Sequence, residues 1–320
     1  MSDSQWSVDP AQEGVRLDKF LAAAVRLGSR ARALTALERG KVYVNGTLVS
    51  SDEASARLVV GDVVRVWMDR PGTARRQPRA GVARDLDVIY DDELLIVVNK
   101  PAGLLAVPLE RKAAPSVYEQ IEDRFRSHGK RQPFVVHRID QGTSGLVVFA
   151  KTAGAQRTLK DQFKRREPDR IYRAMVYGVP DPTEGTWRDF LVWDDKALIQ
   201  KETHPRDPRA TEAICTYRIV EAFAGASHIE VRLRTGRRNQ IRIQARLRGH
   251  TLIGEDRYVF GPDSLRPIPF GRQALHAFRL TFQHPADGQM LELEAPLPPD
   301  LIDLIARLRR IRGIAGEGNR

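Results

Sequence analysis

The segment HRIDQGTSGLVVFAKT, residues 137–152, joins a polar loop to a continuous apolar strand. Its first nine residues place a carboxylate, a guanidinium and an imidazole beside two glycines, between two apolar runs. Loops held by buried strands often carry catalytic side chains. The string alone more often marks a turn in which Asp140 caps Gly142 and pairs with Arg138, so its meaning depends on the rest of the chain.

Outside this loop, a basic linker divides the chain. Residues 70–84, RPGTARRQPRAGVAR, have almost no bulky apolar side chain, so this stretch cannot bury enough surface to order itself. We therefore predict a small domain at 12–69, a linker at 70–84, a catalytic domain at 85–312 and a flexible tail at 313–320.

The small domain has the pattern of a compact α+β unit. Apolar residues recur at helical spacing in 17–24 and again in 30–39. The Asn-Gly turn at 45–46 and the Gly-Asp turn at 61–62 then separate β-rich runs. Two short helices followed by a small sheet are the expected result.

The larger domain has short β-rich runs with helical patterns between them. The runs are 94–98, 134–136, 146–150, 171–177, 213–220, 229–233 and 290–293. Helices are predicted at 153–167, at 300–312 and at 240–248, where Asn239 is expected to cap a segment that also fits strand alternation. Strands and helices do not alternate regularly, which favours an α+β fold with a largely antiparallel mixed sheet.

Composition limits the class of partner. Lys and Arg number 52 against 41 Asp and Glu, giving a net charge of +11, which favours a polyanion such as nucleic acid. Cys215 is the single cysteine and the seven histidines do not cluster, so we expect no disulfide and no metal site. The chain shows no leader pattern and no apolar run of about 18 residues, so we expect a cytoplasmic protein without membrane contact.

Three stretches of the small domain carry a resemblance: RLDKFL at 16–21, SRARALTALERGKVYVNG at 29–46 and GDVVRV at 61–66. Together they are similar to the S-four-type RNA-binding module named from a ribosomal protein. The resemblance implies that basic side chains of its helices contact phosphates, although each one alone also fits a solvated helix face. The residues implied are Arg16, Lys19, Arg30, Arg32, Arg39 and Lys41.

The larger domain carries a second resemblance. The motif at 137–152 has three companions: VVNKPAGLLAVP at 97–108, RIYRAMVYG at 170–178 and LRTGRRNQIRIQARLRGH at 233–250. In this order they resemble the RluA-type pseudouridine synthases over nearly all of 85–299. The resemblance implies a catalytic domain with a central RNA-binding cleft.

The same resemblance implies roles for four residues. Asp140 falls on the essential aspartate that attacks the target nucleotide, and Arg242 on the arginine that pairs with it and keeps it ionised. Tyr172 falls on the tyrosine that stacks on the flipped uracil, and Arg138 on the arginine that assists flipping. No cofactor is implied, since the reaction has no net redox change.

Three positions depart from the family pattern. Asn239 stands where histidine is usual, Glu255 where aspartate is usual ahead of Tyr258, and Ile139 replaces leucine. The first two leave open the hydrogen bonding around Arg242.

We therefore predict a monomeric enzyme that isomerises uridines to pseudouridine in structured RNA. Large-subunit ribosomal RNA is favoured and transfer RNA is the alternative. Two other classes stay open: a noncatalytic RNA-binding or ribosome-assembly protein, and a glycosidase or nucleoside hydrolase. The hydrolase would need a second carboxylate, for which Asp161 and Asp256 are candidates.

Overall fold

The computed structural model describes residues 3–38, 40–49, 51–67, 86–108, 115–126 and 132–317. The predicted linker at 70–84 lies outside the described residues, as does Arg39. The chain forms two compact units, one before this linker and one after it.

The smaller unit is a sheet with two short helices. Its elements are β1 (Asp3–Ser7), α1 (Leu17–Leu21), α2 (Arg30–Glu38), β2 (Val42–Val44), β3 (Thr47–Leu48) and β4 (Val63–Trp67). The strand order is β1-β4-β2-β3, and the pairs are antiparallel. Phe20 and Leu37 from the helices pack with Val64 and Val66 of β4 in one buried cluster. The α+β pattern is observed, and β1 is an added strand that precedes the predicted start of the domain at residue 12.

The larger unit contains the other elements. They are β5 (Val88–Asp91), β6 (Leu95–Lys100), α3 (Val117–Arg126), β7 (Phe134–Val135), β8 (Ser144–Ala150), α4 (Ala153–Arg165), β9 (Asp169–Tyr177), β10 (Glu184–Asp194), β11 (Ile199–Glu202), β12 (Thr211–Phe223), β13 (Ala226–Leu233), α5 (Gln240–Leu247), β14 (Leu275–Gln283), β15 (Met290–Glu294) and α6 (Pro299–Glu317).

A single mixed sheet runs through this unit. Within the described residues it has eleven strands in the order β11-β10-β12-β13-β9-β14-β8-β6-β5, with β15 paired to β14 and β7 to β8. β14 and β8 are parallel, whereas the other strand pairs described are antiparallel. The predicted α+β fold with a largely antiparallel sheet is confirmed.

Helices cover both faces of the central strands. Successive side chains of a strand point to opposite faces of the sheet, so neighbouring residues pack against different helices. On β9, Ala174 lies in a buried cluster with Ile241 of α5, whereas the next residue, Met175, lies in one with Leu301 of α6. The helices α4 and α3 cover β6 and β8 in the same way. Burial on both faces explains why these strands read as continuous apolar runs.

Two features of this unit differ from the sequence prediction. The pattern did not predict β5, β10, β11 or β14, because polar and charged residues interrupt their apolar positions and cross-strand pairing decides their structure. The last helix, predicted to end at residue 312, continues to Glu317 and includes part of the predicted tail. No proline follows Pro299 to end it.

Candidate active site

The loop between β7 and β8 carries Asp140 at the middle of the sheet. Thr143 N donates to the Asp140 carbonyl at 3.1 Å, which closes the turn that the sequence suggested. Gly145 has φ +111°, and a Cβ there would lie 2.2 Å from the Ala277 carbonyl oxygen. The glycine therefore lets β8 approach β14 closely, and this approach fixes the end of the loop.

Two cations hold the backbone of this loop, the buried Lys100 and the partly buried Arg272. Lys100 Nζ donates to the carbonyls of Pro101, Leu104 and Gln141 at 3.0, 2.8 and 3.0 Å. Burial lowers the pKa of Lys100 to about 7, and the charge of Asp140 opposes this shift. From the other side, Arg272 donates to the Gly142 carbonyl at 3.1 Å and pairs with Asp300 at 2.7 Å. The loop is thus tied at two consecutive carbonyls.

The carboxylate of Asp140, which is 24% exposed, has two partners on α5 and the residue before it. Arg242 Nη1 lies 3.5 Å from Oδ2. The amide of Asn239 is assigned with its nitrogen towards Asp140, because the opposite orientation would set its oxygen against the oxygens of the carboxylate. The nitrogen then donates to Oδ2 at 2.8 Å and to Oδ1 at 3.0 Å, and the amide oxygen accepts from Tyr258 at 3.0 Å.

The shortest bonds of Arg242 go to a second carboxylate. Its Nε and Nη2 donate to the two oxygens of buried Glu255 at 2.7 and 2.5 Å, and Nη2 lies 3.3 Å from Asp256. Desolvation lowers the pKa of Arg242, but the hydrogen bonds and charge of Glu255 outweigh it and the net shift is upward. For Glu255 the effects have the opposite sign. Desolvation raises its pKa, but the hydrogen bonds and charge of Arg242 outweigh this effect, so the net shift of the Glu255 pKa is downward. Both groups are therefore charged at neutral pH.

A cavity of about 280 Å³ opens over Asp140. Tyr172 of β9, Leu233, Ile241 and Leu275 supply aromatic and apolar lining. Desolvation raises the pKa of Tyr172, so its phenol stays neutral and offers an uncharged aromatic surface. The volume is at the small end of the range for ligand pockets, which suits one nucleotide base better than a long chain.

Arginines surround the single carboxylate of the cavity lining. Arg138, Arg237, Arg238 and Arg242 line it. Arg238 lies over the ring of Trp193, with its guanidinium carbon 3.9 Å from the ring centroid. Arg170, next to Gly236 of the lining, has an Nε with no partner among the described residues, and burial lowers its pKa. The cavity is thus suited to an anionic ligand.

Both the ring and one nitrogen of His137 have structural partners. Its ring stacks on Phe163 at 4.6 Å between centroids, and its Nε2 accepts from Val148 N at 3.2 Å. Burial, with the charge of Arg170, lowers the pKa of His137 to about 3. The imidazole is a neutral structural group at the end of β7.

The structure gives little support to a hydrolytic pair of carboxylates. Asp161 is exposed on α4 and does not line the cavity. Asp256 is 79% exposed and shares Arg242 with Asp140. Glu255 has both oxygens held by Arg242, and its Oε1 also accepts from two backbone N–H groups.

Among the described residues, no group of three His, Cys, Asp or Glu side chains could hold a metal ion. No helix in the described part of the chain is long and apolar enough to cross a membrane.

The basic residues predicted in the smaller unit differ in their surroundings. Arg16 donates to both oxygens of buried Asp18 at 3.1 and 3.0 Å, and Arg30 lies 3.8 Å from the same carboxylate. Of the other predicted residues, Lys19 and Arg32 are exposed and Lys41 is half-buried, whereas Arg39 lies outside the described residues. Contact with RNA stays a prediction for all six.

Four residues that the sequence predicts as site residues line one cavity: Asp140, Tyr172, Arg138 and Arg242. The helix predicted from Gln240 is observed with Asn239 at its N-cap position, but the side chain of Asn239 makes no cap bond to α5. The reason is that its backbone is left-handed and its amide turns to Asp140 instead. Arg272 was missed, because no local pattern reveals a contact 130 residues away in sequence.

Comparisons with known proteins identify both units. The RNA pseudouridylate synthase family matches residues 94–247, and the S4 domain family matches residues 15–64. The chain is 35% identical over 305 residues to the uncharacterized RNA pseudouridine synthase YlyB of Bacillus subtilis, covering 93% of this chain and 96% of that protein. It is 31% identical over 312 residues to ribosomal large subunit pseudouridine synthase D of Pasteurella multocida, covering 93% of each.

Solved structures agree on the fold. Human RNA pseudouridylate synthase domain containing 1 superposes with a TM-score of 0.57 at 22% identity, covering 72% of this chain and 98% of that one. Human RNA pseudouridylate synthase domain containing 4 gives a TM-score of 0.56, also at 22% identity, covering 69% and 92%. With its relatives matched over nearly their whole length, the chain is an RNA pseudouridine synthase of the RluA-type family and carries an S4 domain ahead of the synthase domain.

Proposed function

We propose that this synthase modifies uridines of large-subunit ribosomal RNA, using Asp140 as the nucleophile on a base flipped out of the RNA. The observation that carries the proposal is the position of one carboxylate, held by Arg242 and Asn239, at the floor of a cavity of base size. A carboxylate acts as a nucleophile when an adjacent cation favours its ionised form.

The reaction is an isomerisation, and its atoms balance without a cofactor. The bond from ribose carbon 1′ to ring nitrogen 1 breaks, the uracil turns, and carbon 1′ bonds to ring carbon 5. The hydrogen on carbon 5 leaves as a proton, and nitrogen 1 gains one. In this proposal an oxygen of Asp140 bonds to carbon 1′ as the bond to nitrogen 1 breaks, and the bond from Asp140 to carbon 1′ breaks as carbon 1′ bonds to ring carbon 5.

The remaining lining residues suit a detached base. Tyr172 offers a neutral ring for stacking, a contact worth about 1–3 kcal/mol per base. Leu233, Ile241 and Leu275 exclude water while the base turns. Exposed Arg138 is suited to fill the space that the base leaves, or to hold its phosphate.

Three observations support a ribosomal RNA substrate. The net charge is +11, the smaller unit matches the S4 domain family, and a relative of similar length is named for the large ribosomal subunit. We propose that Arg16, Lys19, Arg30, Arg32, Arg39 and Lys41 contact the RNA backbone in the smaller unit, which would raise affinity without reading sequence. A cytoplasmic location and a monomeric state belong to the same proposal.

The test compares cells that lack the gene with cells complemented by the wild type, Asp140→Asn or Asp161→Asn. Pseudouridine is mapped in each RNA by carbodiimide-dependent reverse-transcription stops. We expect stops in large-subunit RNA with the wild type and with Asp161→Asn, which changes an exposed carboxylate of α4. Asp140→Asn keeps the shape of the side chain but should lose them.

The other outcomes separate the alternatives. Stops that depend on the gene only in transfer RNA would move the substrate to that class and leave the role of Asp140 intact. Stops that persist with Asp140→Asn would refute the nucleophile. Release of free uracil by purified enzyme would indicate the hydrolase reaction instead.

A further inference from the structure

Asn239 has an unusual position for a residue that begins a helix. Its backbone is left-handed, with φ 54° and ψ 22°, and its side chain makes no cap bond to α5. The side chain of Gln240 holds the segment before the helix, because its Oε1 accepts from Arg237 N at 3.0 Å and from Thr235 at 2.8 Å. Asparagine tolerates the left-handed region better than most residues. The amide of Asn239 is therefore free of the role that its place in sequence suggests.

This amide lies between the catalytic loop and a buried tyrosine. Its nitrogen donates to both oxygens of Asp140, at 2.8 and 3.0 Å, and its oxygen accepts from the hydroxyl of Tyr258 at 3.0 Å. The hydroxyl of Tyr258 in turn accepts from Gln200 N of β11 at 2.8 Å. Asn239 is 9% exposed and Tyr258 is 3% exposed, so water competes little for these bonds.

Arg242 cannot provide the same control of orientation. Its contact with Asp140 is 3.5 Å long, whereas its bonds to Glu255 are 2.7 and 2.5 Å. A distance of 3.5 Å lies beyond the usual range for a hydrogen bond from N–H to oxygen. Arg242 therefore stabilises the negative charge of Asp140 but does little to fix the orientation of the carboxylate. The short contacts to Asp140 come from the amide nitrogen of Asn239, which lies 2.8 and 3.0 Å from the two carboxylate oxygens.

We propose that Asn239 is the positioning residue that fixes the orientation of the Asp140 carboxylate, with Tyr258 fixing the amide. The inference rests on the proposed role of Asp140 as the nucleophile. An amide does not titrate, so this hold on the carboxylate is the same at every working pH. Histidine, which the family pattern has here, would offer a donor that titrates near neutral pH.

The test measures kcat and KM against pH with the full-length chain. The substrate is total RNA from cells that lack the gene and were grown with uracil tritiated at carbon 5, because forming the new bond releases that hydrogen to water. Asn239→Ala should lower kcat about 10²-fold, as for a misplaced catalytic group, and leave KM within about twofold. Tyr258→Phe, which removes only the hydroxyl, should lower kcat about threefold to tenfold.

Two further variants give a readout that a structural role would not move. Asn239→Asp keeps the shape but sets a second carboxylate against Asp140, so the acid limb of the kcat profile should move up by at least about one pH unit. Asn239→His should recover part of the kcat lost in Asn239→Ala and add a titration between about pH 5 and 8. Thermal unfolding of each variant checks that the fold is retained.

Each outcome bears on one statement. If Asn239→Ala and Asn239→Asp keep kcat within about twofold of the wild type over the whole pH range, the positioning role is wrong, since lost orientation should cost far more. If Asp140→Asn, assayed in parallel, is as active as the wild type, the proposed nucleophile fails whatever Asn239 does. Loss of activity in Asp140→Asn beside silent Asn239 variants refutes only the inference drawn here.

Discussion

Two buried cations at the catalytic loop, Lys100 and Arg242, have contrasting partners. Lys100 is surrounded by backbone carbonyls, and burial lowers its pKa to about 7. Arg242 is surrounded by carboxylates, and Glu255 drives a net upward shift of its pKa against the effect of desolvation. The same charge therefore serves two purposes: Lys100 holds the backbone of the loop, while Arg242 sets the charge around its side chain.

The largest effect should come from Arg242→Met. This change leaves the buried carboxylate of Glu255 without its cation and removes the cation beside Asp140. Breaking one partner of a buried ion pair costs about 3–5 kcal/mol of unfolding free energy. Activity should fall by at least about 10³-fold, since the nucleophile loses its cation while the carboxylates remain. Urea unfolding and tritium release measure the two effects, and a loss of less than about tenfold in rate would contradict this role of Arg242.

Lys100→Met tests the other side of the comparison. The variant removes three hydrogen bonds to carbonyls, which should cost about 1–3 kcal/mol for the acceptors left unsatisfied. The pKa of Lys100 is lower in the folded chain than its ordinary value of 10.5. Between about pH 7 and 10 the unfolded chain thus binds the extra proton, and wild-type stability gains with rising pH from this group.

The Met variant lacks this titration, so its deficit relative to the wild type should grow as pH rises from about 7 to 9. Urea unfolding of both proteins at each pH measures the difference directly. A deficit that shrinks with pH would mean that the folded state favours the charged lysine.

Arg272→Lys should have a smaller effect on the same loop. Lysine keeps the charge but cannot donate at once to the Gly142 carbonyl and pair in two places with Asp300, as Arg272 does. We expect kcat to fall about tenfold, corresponding to loss of about one hydrogen bond at the loop. Unchanged kcat would show that Lys100 alone fixes the loop.

The smallest effect should come from Arg30→Ala in the smaller unit. Arg30 is exposed and lies 3.8 Å from Asp18, so the free energy of unfolding should change by less than about 1 kcal/mol. Affinity for ribosomal RNA should fall only a few-fold, with the slope of log affinity against log salt reduced by about one unit. Filter binding over a range of salt concentrations measures both, and an unchanged slope would remove Arg30 from the RNA contacts.

The sequence predicted those parts of the site that have local patterns. The loop with Asp140 and the segments with Tyr172 and Arg242 could be identified because each is short and ordered along the chain. The role of Asn239 could not, since N-cap preference predicts a cap and only the fold shows the left-handed backbone. Strands β5, β10, β11 and β14 were missed because polar and charged residues interrupt their apolar positions. Of these four, β14 also pairs with strands that are distant in sequence, β8 and β9.

The pairing of β14 between β8 and β9 has a consequence for synthesis of the protein. Ser144 at the start of β8 bonds to His276 of β14, which is 132 residues later in the chain. The nascent chain therefore emerges with its reaction loop unsupported on one side until β14 has left the ribosome. Contacts so distant in sequence form late and slowly. The enzyme thus gains its catalytic geometry only after β14 has been synthesised. A chain truncated before β14 would contain both Asp140 and Arg242 but would lack the strand that pairs with β8 and β9.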